Sequence, residues 1–364
     1  MPVKQLVKVL GMQEKLIYGI QQVGVGVEDA EAAFAWYAKH LGADVPSFDD
    51  ANEATYMAKY MGGQSHYKRA IMAINLQGGA GYEVWQYTRR QPVYPNEPIR
   101  IGDYGISVAM VKSKDIGQSY ARLSAEGIKM LTDIRTAPDG KRCFFIADPY
   151  GNILQIKEFD HWYATNRGDT GGLFGCVIGV SDIDNALRLY QDILGYEKVI
   201  YDRTDTSADW EGLPGGQGRT RRVLLEPTRH SKGGLGIFFG HTQLELVQHL
   251  DMEPRKIFQD RYWGDIGFIH VCFDIRNMDS LVAECAEKGF PFQVLSHASF
   301  DMGDANGHWG YLEDPDGTLI EFVETKRIPI LKALKLSVKL EDRDPQKPLP
   351  RWFFKALGFK RIKT

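Results

Sequence analysis

The amino-acid sequence predicts an α+β fold built from four β-α-β-β-β modules, and two repeated patterns lead to this prediction. The first is a strand, a DPxG turn and a second strand, found as KRCFFIADPYGNILQIKE at 141–158 and GHWGYLEDPDGTLIEFVE at 307–324. The second is a helix that ends in Leu-Gly, in AWYAKHLGADV at 35–45 and RLYQDILGYEK at 188–198. The repeat period of about 160 residues is too long for a solenoid, and the copies are too few. The repeats therefore indicate duplicated domains.

Each DPxG sequence predicts the tip of a β-hairpin. Proline presets φ for the second position of a type I turn, while aspartate suits the first position and glycine the fourth. In the strand after the second turn, alternation places Glu321 on the same face as Leu319 and Val323. A buried carboxylate is costly unless a cation or a donor meets it. Glu321 is therefore either a strand-edge residue in water or a metal-binding or proton-transfer group inside a cavity.

The other elements of each module follow in the same order. An alternating strand leads into an Asp-initiated helix in QVGVGVEDAEAAF (22–34) and GCVIGVSDIDNAL (175–187), and two weaker copies follow the same pattern. Helices should cover one face of curved sheets and leave a concave face open. The expected modules are 14–88, 99–160, 170–250 and 264–326, grouped as domains 1–160 and 170–326, with a C-terminal extension at 327–364.

The Leu-Gly helix ends and the two DPxG hairpins resemble those of the vicinal oxygen chelate superfamily, the group of glyoxalases, ring-cleaving dioxygenases and bleomycin-resistance proteins. The resemblance covers about residues 14–326. It implies that the modules pair into two half-barrel sheets with helices on the outer face. It also implies metal ligands at the first inward residue of a module's first strand and at a glutamate on its last strand. The fold hosts several reactions, so the resemblance leaves the chemistry open.

Alternation assigns residues to these positions. In HVCFDI, Val271 and Phe273 form the apolar face that should meet a helix, so His270 faces the open side. The same reasoning applied to the other modules gives eight positions. The first-strand positions are Gln22, Gly105, Gly175 and His270, and the last-strand positions are Glu83, Gln155, Glu245 and Glu321.

Two pairings of the modules remain open at this stage. If module 1 pairs with module 4, the metal ligands are His270, Glu321, Gln22 and Glu83, as in single-chain glyoxalases, and Gly105 and Gly175 face each other across an empty second cavity. If neighbouring modules pair instead, as in ring-cleaving dioxygenases, Glu245 takes the place of Gln22 and Glu83. We expect the first arrangement because it leaves one site with a full set of ligands.

The residue types suit a divalent metal ion. One imidazole, two carboxylates and an amide oxygen form a fairly hard site for Zn, Ni, Mn, Fe or Co. Such an ion could act as a Lewis acid on a chelated carbonyl of a small organic substrate, and Glu321, by resemblance, would be the catalytic residue that moves a proton on the adjacent carbon. We therefore expect a metal-dependent enzyme of glyoxalase or epimerase type. The alternatives are a non-catalytic binding protein of bleomycin-resistance type and a ring-cleaving dioxygenase.

Several further residues are candidates for the surroundings of this site. His308 could line the pocket, although a position at the rim or surface is expected. The glycine-rich loop at 207–220 is not followed by a helix or a Lys-Ser ending, so it does not resemble a phosphate-binding loop. Strand aromatics could form a wall of the cavity or simply pack in the core. These aromatics are Trp85, Tyr87, Trp309 and Tyr311.

Composition narrows the function further. The 364 residues carry a formal net charge of −3, which does not point to nucleic acid. The four cysteines show no CxxC spacing, and the opening 1–20 lacks the apolar core of a signal peptide, so we expect a cytoplasmic protein without stable membrane insertion. Residues 325–364 hold 12 Lys and Arg against 3 acidic residues. We expect two helices there, in 330–340 and 350–362, packed on the acidic body.

Overall fold

The computed structural model describes residues 13–297, 300–301, 306–331 and 336–363. Module 1 consists of β1 (Leu16–Gly26), α1 (Ala30–Leu41), β2 (Val45–Glu53), β3 (Tyr67–Ile74) and β4 (Gly81–Tyr87), with a 3₁₀ helix at Thr55–Tyr60. Module 2 consists of β5 (Gly105–Ser113), α2 (Ile116–Ala125), β6 (Lys129–Met130), β7 (Arg135–Thr136), β8 (Arg142–Ala147) and β9 (Ile153–Glu158).

The second half of the chain repeats this order. Module 3 consists of β10 (Thr170–Gly179), α3 (Ile183–Tyr190), β11 (Lys198–Thr206), a 3₁₀ helix at Ala208–Trp210, β12 (Arg219–Glu226), α4 (Gly236–Phe239) and β13 (Gln243–His249). Module 4 consists of β14 (Gly267–Arg276), α5 (Met278–Glu287), β15 (Val294–Leu295), β16 (Phe300–Asp301), β17 (Asn306–Glu313) and β18 (Leu319–Leu331). The chain continues with β19 (Leu336–Lys339), α6 (Arg351–Leu357) and a 3₁₀ helix at Gly358–Lys360.

Side chains and glycines fix the ends of the module helices. Asp29, Asp115 and Asp182 each precede a helix in extended conformation and accept hydrogen bonds from backbone N–H groups of its first turn. Both Leu-Gly glycines adopt the left-handed conformation, with φ of 68° at Gly42 and 76° at Gly195. Gly42 is the C-cap of α1, whereas α3 ends earlier than predicted, at Tyr190, and its C-cap residue is Gln191. These local signals explain why the sequence pattern locates the helices.

The strands form two curved sheets, and each sheet combines one module from each half of the chain. The first, half-barrel A, has the order β15-β17-β18-β14-β1-β4-β3-β2 and therefore joins module 4 to module 1. The second, half-barrel B, has the order β11-β12-β13-β10-β5-β9-β8-β6 and joins module 3 to module 2. The pairing of modules 1 and 4 follows the expected arrangement, and the sequential pairing is wrong.

The helix-facing sides of both sheets belong to one buried apolar core. Among the buried hydrogen bonds between the half-barrels, two are made by tyrosine hydroxyl groups of this core. The hydroxyl of Tyr37 on α1 donates to Asp148 in module 2 at 2.7 Å, and the hydroxyl of Tyr190 on α3 donates to Asp314 in module 4 at 2.9 Å. Each aspartate is the first residue of a DPxG turn, so the repeated turn also links half-barrel A to half-barrel B.

The C-terminal extension differs in part from expectation. Residues 330–340 are predicted to be helical, but β18 continues to Leu331 and β19 pairs with it in antiparallel register, while 332–335 lie outside the described residues. Val338 and Leu340 alternate along the chain and pack on one apolar cluster, so sheet pairing outweighs helix propensity. The second predicted helix is present as α6, and the extension packs on the body as expected.

The described residues contain four buried cysteines, all free. No helix within the described ranges is long and apolar enough to cross a membrane.

Candidate metal centre

The candidate metal centre lies where the first strands of modules 1 and 4 meet in half-barrel A. β1 and β14 run antiparallel, and each is flanked in parallel register by the last strand of its own module. The registers pair Gly24 with Glu83 and Cys272 with Glu321. Since side chains alternate along a strand, all four sequence-predicted residues share the concave face. These residues are Gln22, Glu83, His270 and Glu321.

The structure brings these four side chains into contact. Nε2 of His270 lies 3.1 Å from Oε2 of Glu83 and 3.1 Å from Oε2 of Glu321. Nε2 of Gln22 donates to the same two carboxylates at 3.1 and 3.2 Å. Ligand atoms of the two glutamates and the histidine all lie within 4.8 Å of one another, an arrangement that could hold a metal ion.

Unpartnered polar atoms indicate that a cation fits this cluster. Both ring nitrogens of His270 and Oε1 of Gln22 are buried without a hydrogen-bond partner. Nε2 of His270 is near two carboxylate oxygens but is not aligned for a hydrogen bond with either. A buried polar atom without a partner is costly. A divalent ion between these groups would satisfy the imidazole nitrogen and both carboxylates, and a half-turn of the Gln22 amide would present its oxygen.

The charges of the cluster point the same way. Burial lowers the pKa of His270, but Glu321 and Glu83 outweigh this effect and raise the pKa to about 9. Burial raises the pKa of Glu83, but the adjacent imidazole outweighs it and holds the pKa below its usual value. The metal-free cluster therefore carries an imidazolium between two carboxylates. Because metal ligands must be deprotonated, a divalent ion would take the place of this proton.

Gly24 is a residue of the site whose role sequence reasoning missed. A Cβ atom added to Gly24 would lie 2.4 Å from Cε1 and 2.7 Å from Nε2 of His270. Any larger residue would therefore displace the imidazole from the cluster. The signal was present in QVGVGV, because glycine at successive inward positions of a strand marks close approach of another group.

A cavity of about 300 Å³ opens from the cluster. Three of the four expected aromatics line it, namely Trp85, Trp309 and Tyr311. The fourth, Tyr87, donates its hydroxyl to the carbonyl of Trp263, a lining residue that the sequence did not indicate. Both positions predicted for His308, in the pocket lining or at the rim or surface, are wrong. It is buried, and it lies on the strand between Trp309 and Gly307, so alternation turns it away from the cavity.

The corresponding position in module 2 is not Gly105. The register pairs Met110 with Gln155, so Val108 is the equivalent of His270. The prediction failed because β5 is irregular near its start. Ile106 packs in the helix-side core, whereas Val108 packs in the interior of half-barrel B, although simple alternation would place both on one face.

Half-barrel B contains no empty second cavity among its described residues, which is a further correction. Buried apolar side chains and buried ion pairs occupy its interior, and a Cβ at Gly175 would lie 3.2 Å from Sδ of Met110. These buried apolar residues include Phe145, Phe174, Trp210, Met110 and Leu224.

Glu245 lies in half-barrel B and already has a cation partner. Nε of Arg222 donates to Glu245 at 2.6 Å, and Nη1 of Arg222 donates to Asp209 at 2.7 Å. The hydroxyl of Tyr201 also donates to Glu245, at 2.6 Å. The guanidinium stacks on Trp210 at 3.4 Å from the ring centroid. Glu245 is thus bound by the protein itself, and the loop at 207–220 supplies the second carboxylate and the aromatic ring.

The fold and the clustered ligands together define a half-barrel protein with a candidate divalent-metal centre. Two family models match the chain, at residues 19–156 and 176–308, and both are described as the Glyoxalase/Bleomycin resistance protein/Dioxygenase superfamily. The chain belongs to this superfamily. No curated protein matches the sequence.

Solved structures agree with this assignment at the level of the fold. A variant of glyoxalase I from Zea mays is 13% identical with a TM-score of 0.55, and the alignment covers 88% of this chain and 96% of that chain. A candidate dioxygenase from Bacillus subtilis is 14% identical with a TM-score of 0.54, covering 85% of this chain and 86% of that chain. At such identities the likeness establishes the fold alone.

Proposed function

We propose that this protein is a divalent-metal-dependent enzyme of glyoxalase or epimerase type that moves a proton next to a metal-chelated carbonyl of a small organic substrate. The observation that carries the proposal is the position of His270 Nε2, which is buried, lacks an aligned hydrogen bond and lies 3.1 Å from each of two carboxylates. Both glutamates also line the neighbouring cavity of about 300 Å³.

The residues that would hold the ion are His270, Glu321, Glu83 and Gln22. Bound there, Zn, Ni, Mn, Fe or Co would supply Lewis acidity to a chelated substrate oxygen. Glu321 is the proposed catalytic residue, since its carboxylate faces the cavity and could accept a proton from the adjacent carbon. Burial, Glu321 and Glu83 raise the pKa of Tyr311 well above its ordinary value, so this cavity hydroxyl remains a neutral donor.

One other class has a specific observation in its favour. The cavity is lined largely by aromatic and aliphatic side chains, which would also suit a non-catalytic small-molecule binding protein of bleomycin-resistance type. A ring-cleaving dioxygenase has less support. Its 2-His-1-carboxylate iron site needs two histidines, and the cluster found among the described residues contains one.

Metal analysis separates the enzyme from the binding protein. Protein purified without chelator should contain about one equivalent of a divalent metal, and His270→Ala and Glu321→Gln should each lower metal affinity by about 100-fold or more. Both variants should remain folded, because neither side chain belongs to the main apolar core and both glutamates of the cluster line the cavity. Glu313→Gln is the matched control, because Glu313 lies on the neighbouring strand outside the cluster. This variant should bind metal as the wild type does.

Three results would count against the proposal. A wild-type protein that takes up no divalent metal favours the binding protein. Full retention of metal in His270→Ala removes the proposed ligand set. Loss of folded protein in both cluster variants, judged by circular dichroism, assigns the cluster a structural role instead.

A further inference from the structure

The cavity beside the candidate metal centre is closed by parts of the chain outside half-barrel A. Phe238 and Phe239 come from α4 in module 3, and Phe353, Phe354 and Leu357 come from α6 in the C-terminal extension. These segments are far from the metal centre in sequence and contribute no metal ligand. Their contribution to the cavity is an apolar wall.

This wall is held in place at both ends of α6. Before the helix, the N–H of Leu349 donates to the carbonyl of Gly234 at 2.9 Å. After the helix, the N–H of Ile362 donates to the carbonyl of Asp44 at 3.0 Å, and Arg361 forms an ion pair with the Asp44 carboxylate. Anchors on both sides make α6 a fixed part of the cavity, and its position therefore defines the cavity's shape.

The wall presents aromatic faces. The rings of Phe238 and Phe354 stack with centroids 4.7 Å apart and planes at 11°, and the ring of Tyr163 lies 5.0 Å from that of Phe354. Phe354 and Phe353 are buried, whereas Trp352 on the same helix is 54% exposed. A cavity of about 300 Å³ lies at the lower end of the range for sites that hold drug-sized ligands.

The charged residues of the cavity do not favour an anionic substrate body. Among the described lining residues there is no arginine, and Lys68 forms an ion pair with Asp50 at 3.3 Å. Nζ of Lys360 donates to the carbonyl of Ser47. Planar recognition of carboxylates or phosphates usually relies on arginine. The side of the cavity away from the metal ligands is therefore suited to an apolar group.

We infer that the substrate carries its two metal-chelating oxygens on a bulky aromatic or apolar body, and that α6, through Phe353 and Phe354, is the wall that selects this body. The part of the inference that concerns the metal-chelating oxygens rests on the proposed function. The part that concerns the apolar body rests on the cavity wall alone, so the two parts can be tested separately.

The test uses hydroxamic acids, which bind divalent metals through vicinal oxygens, with bodies of different character. Binding to zinc-loaded protein is measured by calorimetry for 2-naphthohydroxamic acid, acetohydroxamic acid and N-hydroxysuccinamic acid, whose body is a carboxylate. The naphthyl compound should bind at least about tenfold more tightly than the acetyl compound, because its rings become buried. The carboxylate body should give no gain over acetyl.

Variants of α6 connect this preference to the wall. Phe354→Ala should reduce the naphthyl preference to about threefold or less, without changing the affinity for acetohydroxamic acid. Phe354→Leu removes the aromatic ring but keeps an apolar side chain. It replaces Phe354→Ala in the test if the alanine variant does not fold. Trp352→Ala is the matched control, because this exposed residue of the same helix does not line the cavity and should keep the full preference.

The outcomes separate this inference from the proposed function. Equal binding of the naphthyl and acetyl compounds, or an unchanged preference in both Phe354 variants, overturns the inference while leaving the metal centre intact. If the protein takes up no metal, the proposed function fails, and 2-naphthamide, which lacks the chelating group, then tests the wall. Its binding to metal-free wild type and weaker binding to Phe354→Leu would still support an aromatic site, and no binding would overturn it.

Discussion

The two half-barrels carry a carboxylate at the same position of the fold but neutralise it differently. In half-barrel A, Glu321 and Glu83 surround a buried imidazole at 3.1 Å. In half-barrel B, the equivalent Glu245 is held at 2.6 Å by the guanidinium of Arg222. The cluster in half-barrel A could bind a cation from solution. In half-barrel B, the cation is the side chain of Arg222. The two sites therefore differ in the charge partner of the carboxylate and not in its position in the fold.

The rest of each interior is consistent with this difference. In half-barrel B, Val108 and Gly175 stand where half-barrel A has His270 and Gln22, and apolar side chains fill the space. A second buried ion pair there joins Lys157 to Asp139 at 2.7 Å. Half-barrel A instead keeps a cavity beside its charged cluster. Duplication has thus produced one open interior and one packed interior from the same elements.

The largest loss of stability from a single substitution is expected for Arg222→Met in half-barrel B. The substitution leaves Glu245 and Asp209 buried without their cation, and breaking a buried pair in this way costs about 3–5 kcal/mol. The free energy of unfolding from urea titration measures the cost, and metal content should not change. Arg219→Met is the control, because this residue of the same strand forms an exposed ion pair with Asp251 and should cost at most about 1 kcal/mol.

A loss from Arg222→Met no larger than that of the control would mean that the guanidinium is not needed to neutralise its carboxylates. A loss of metal in the same variant would show that the two half-barrels are coupled, contrary to the separation described above.

A smaller loss of stability, together with loss of metal, is expected from Gly24→Ala in half-barrel A. The new methyl group would lie 2.4 Å from Cε1 of His270 and must push the imidazole aside. Overpacking of this kind costs about 1–3 kcal/mol, and metal affinity should fall as it does in His270→Ala. Metal analysis and urea unfolding measure the two effects.

The double variant Gly24→Ala/His270→Ala tests the cause. Without the imidazole the methyl group has space, so the alanine at position 24 should add little further destabilisation. Wild-type metal affinity in Gly24→Ala would contradict the proposed close packing of glycine and imidazole.

The same contrast explains which features the sequence could predict. Strand alternation has a strict period of two, so it placed Gln22 and His270 on the concave face. Alternation does not detect the irregular start of β5, so it predicts Gly105 where the structure has Val108. Arg222 was not foreseen as the partner of Glu245 because no local pattern shows which side chains meet across strands. The position of α6 on the cavity was equally hidden, since docking of a helix depends on distant residues such as Asp44 and Gly234.

A pH dependence of stability is expected from one buried carboxylate of half-barrel A, that of Asp274. Asp274 in half-barrel A accepts a hydrogen bond from Gln21 at 3.2 Å, and burial raises its pKa from 3.8 to about 8. Between these values the unfolded chain releases a proton that the folded protein retains. The contribution of Asp274 to stability is therefore full below pH 3.8 and decreases as the pH rises to about 8, by at most about 1.4 kcal/mol per pH unit.

The measurement compares urea unfolding of metal-free wild type and Asp274→Asn at pH 5, 6.5 and 8. Asparagine keeps the acceptor for Gln21 but cannot ionise, so the advantage of the variant over wild type should increase with pH. A constant difference across this range would mean that Asp274 is ionised in the folded protein.

The smallest effects are expected at the two tyrosine hydrogen bonds between the half-barrels that involve the DPxG turns. Tyr37→Phe and Tyr190→Phe each remove one buried hydroxyl donor, to Asp148 and Asp314 respectively. Each carboxylate keeps backbone donors from its own DPxG turn, so the loss should be about 1–2 kcal/mol in either variant. Urea unfolding measures both losses, and metal content should stay at the wild-type level. Because the two contacts are repeats of one arrangement, the losses should be similar. A much larger loss at one of them would show that the two links between the half-barrels are not equivalent.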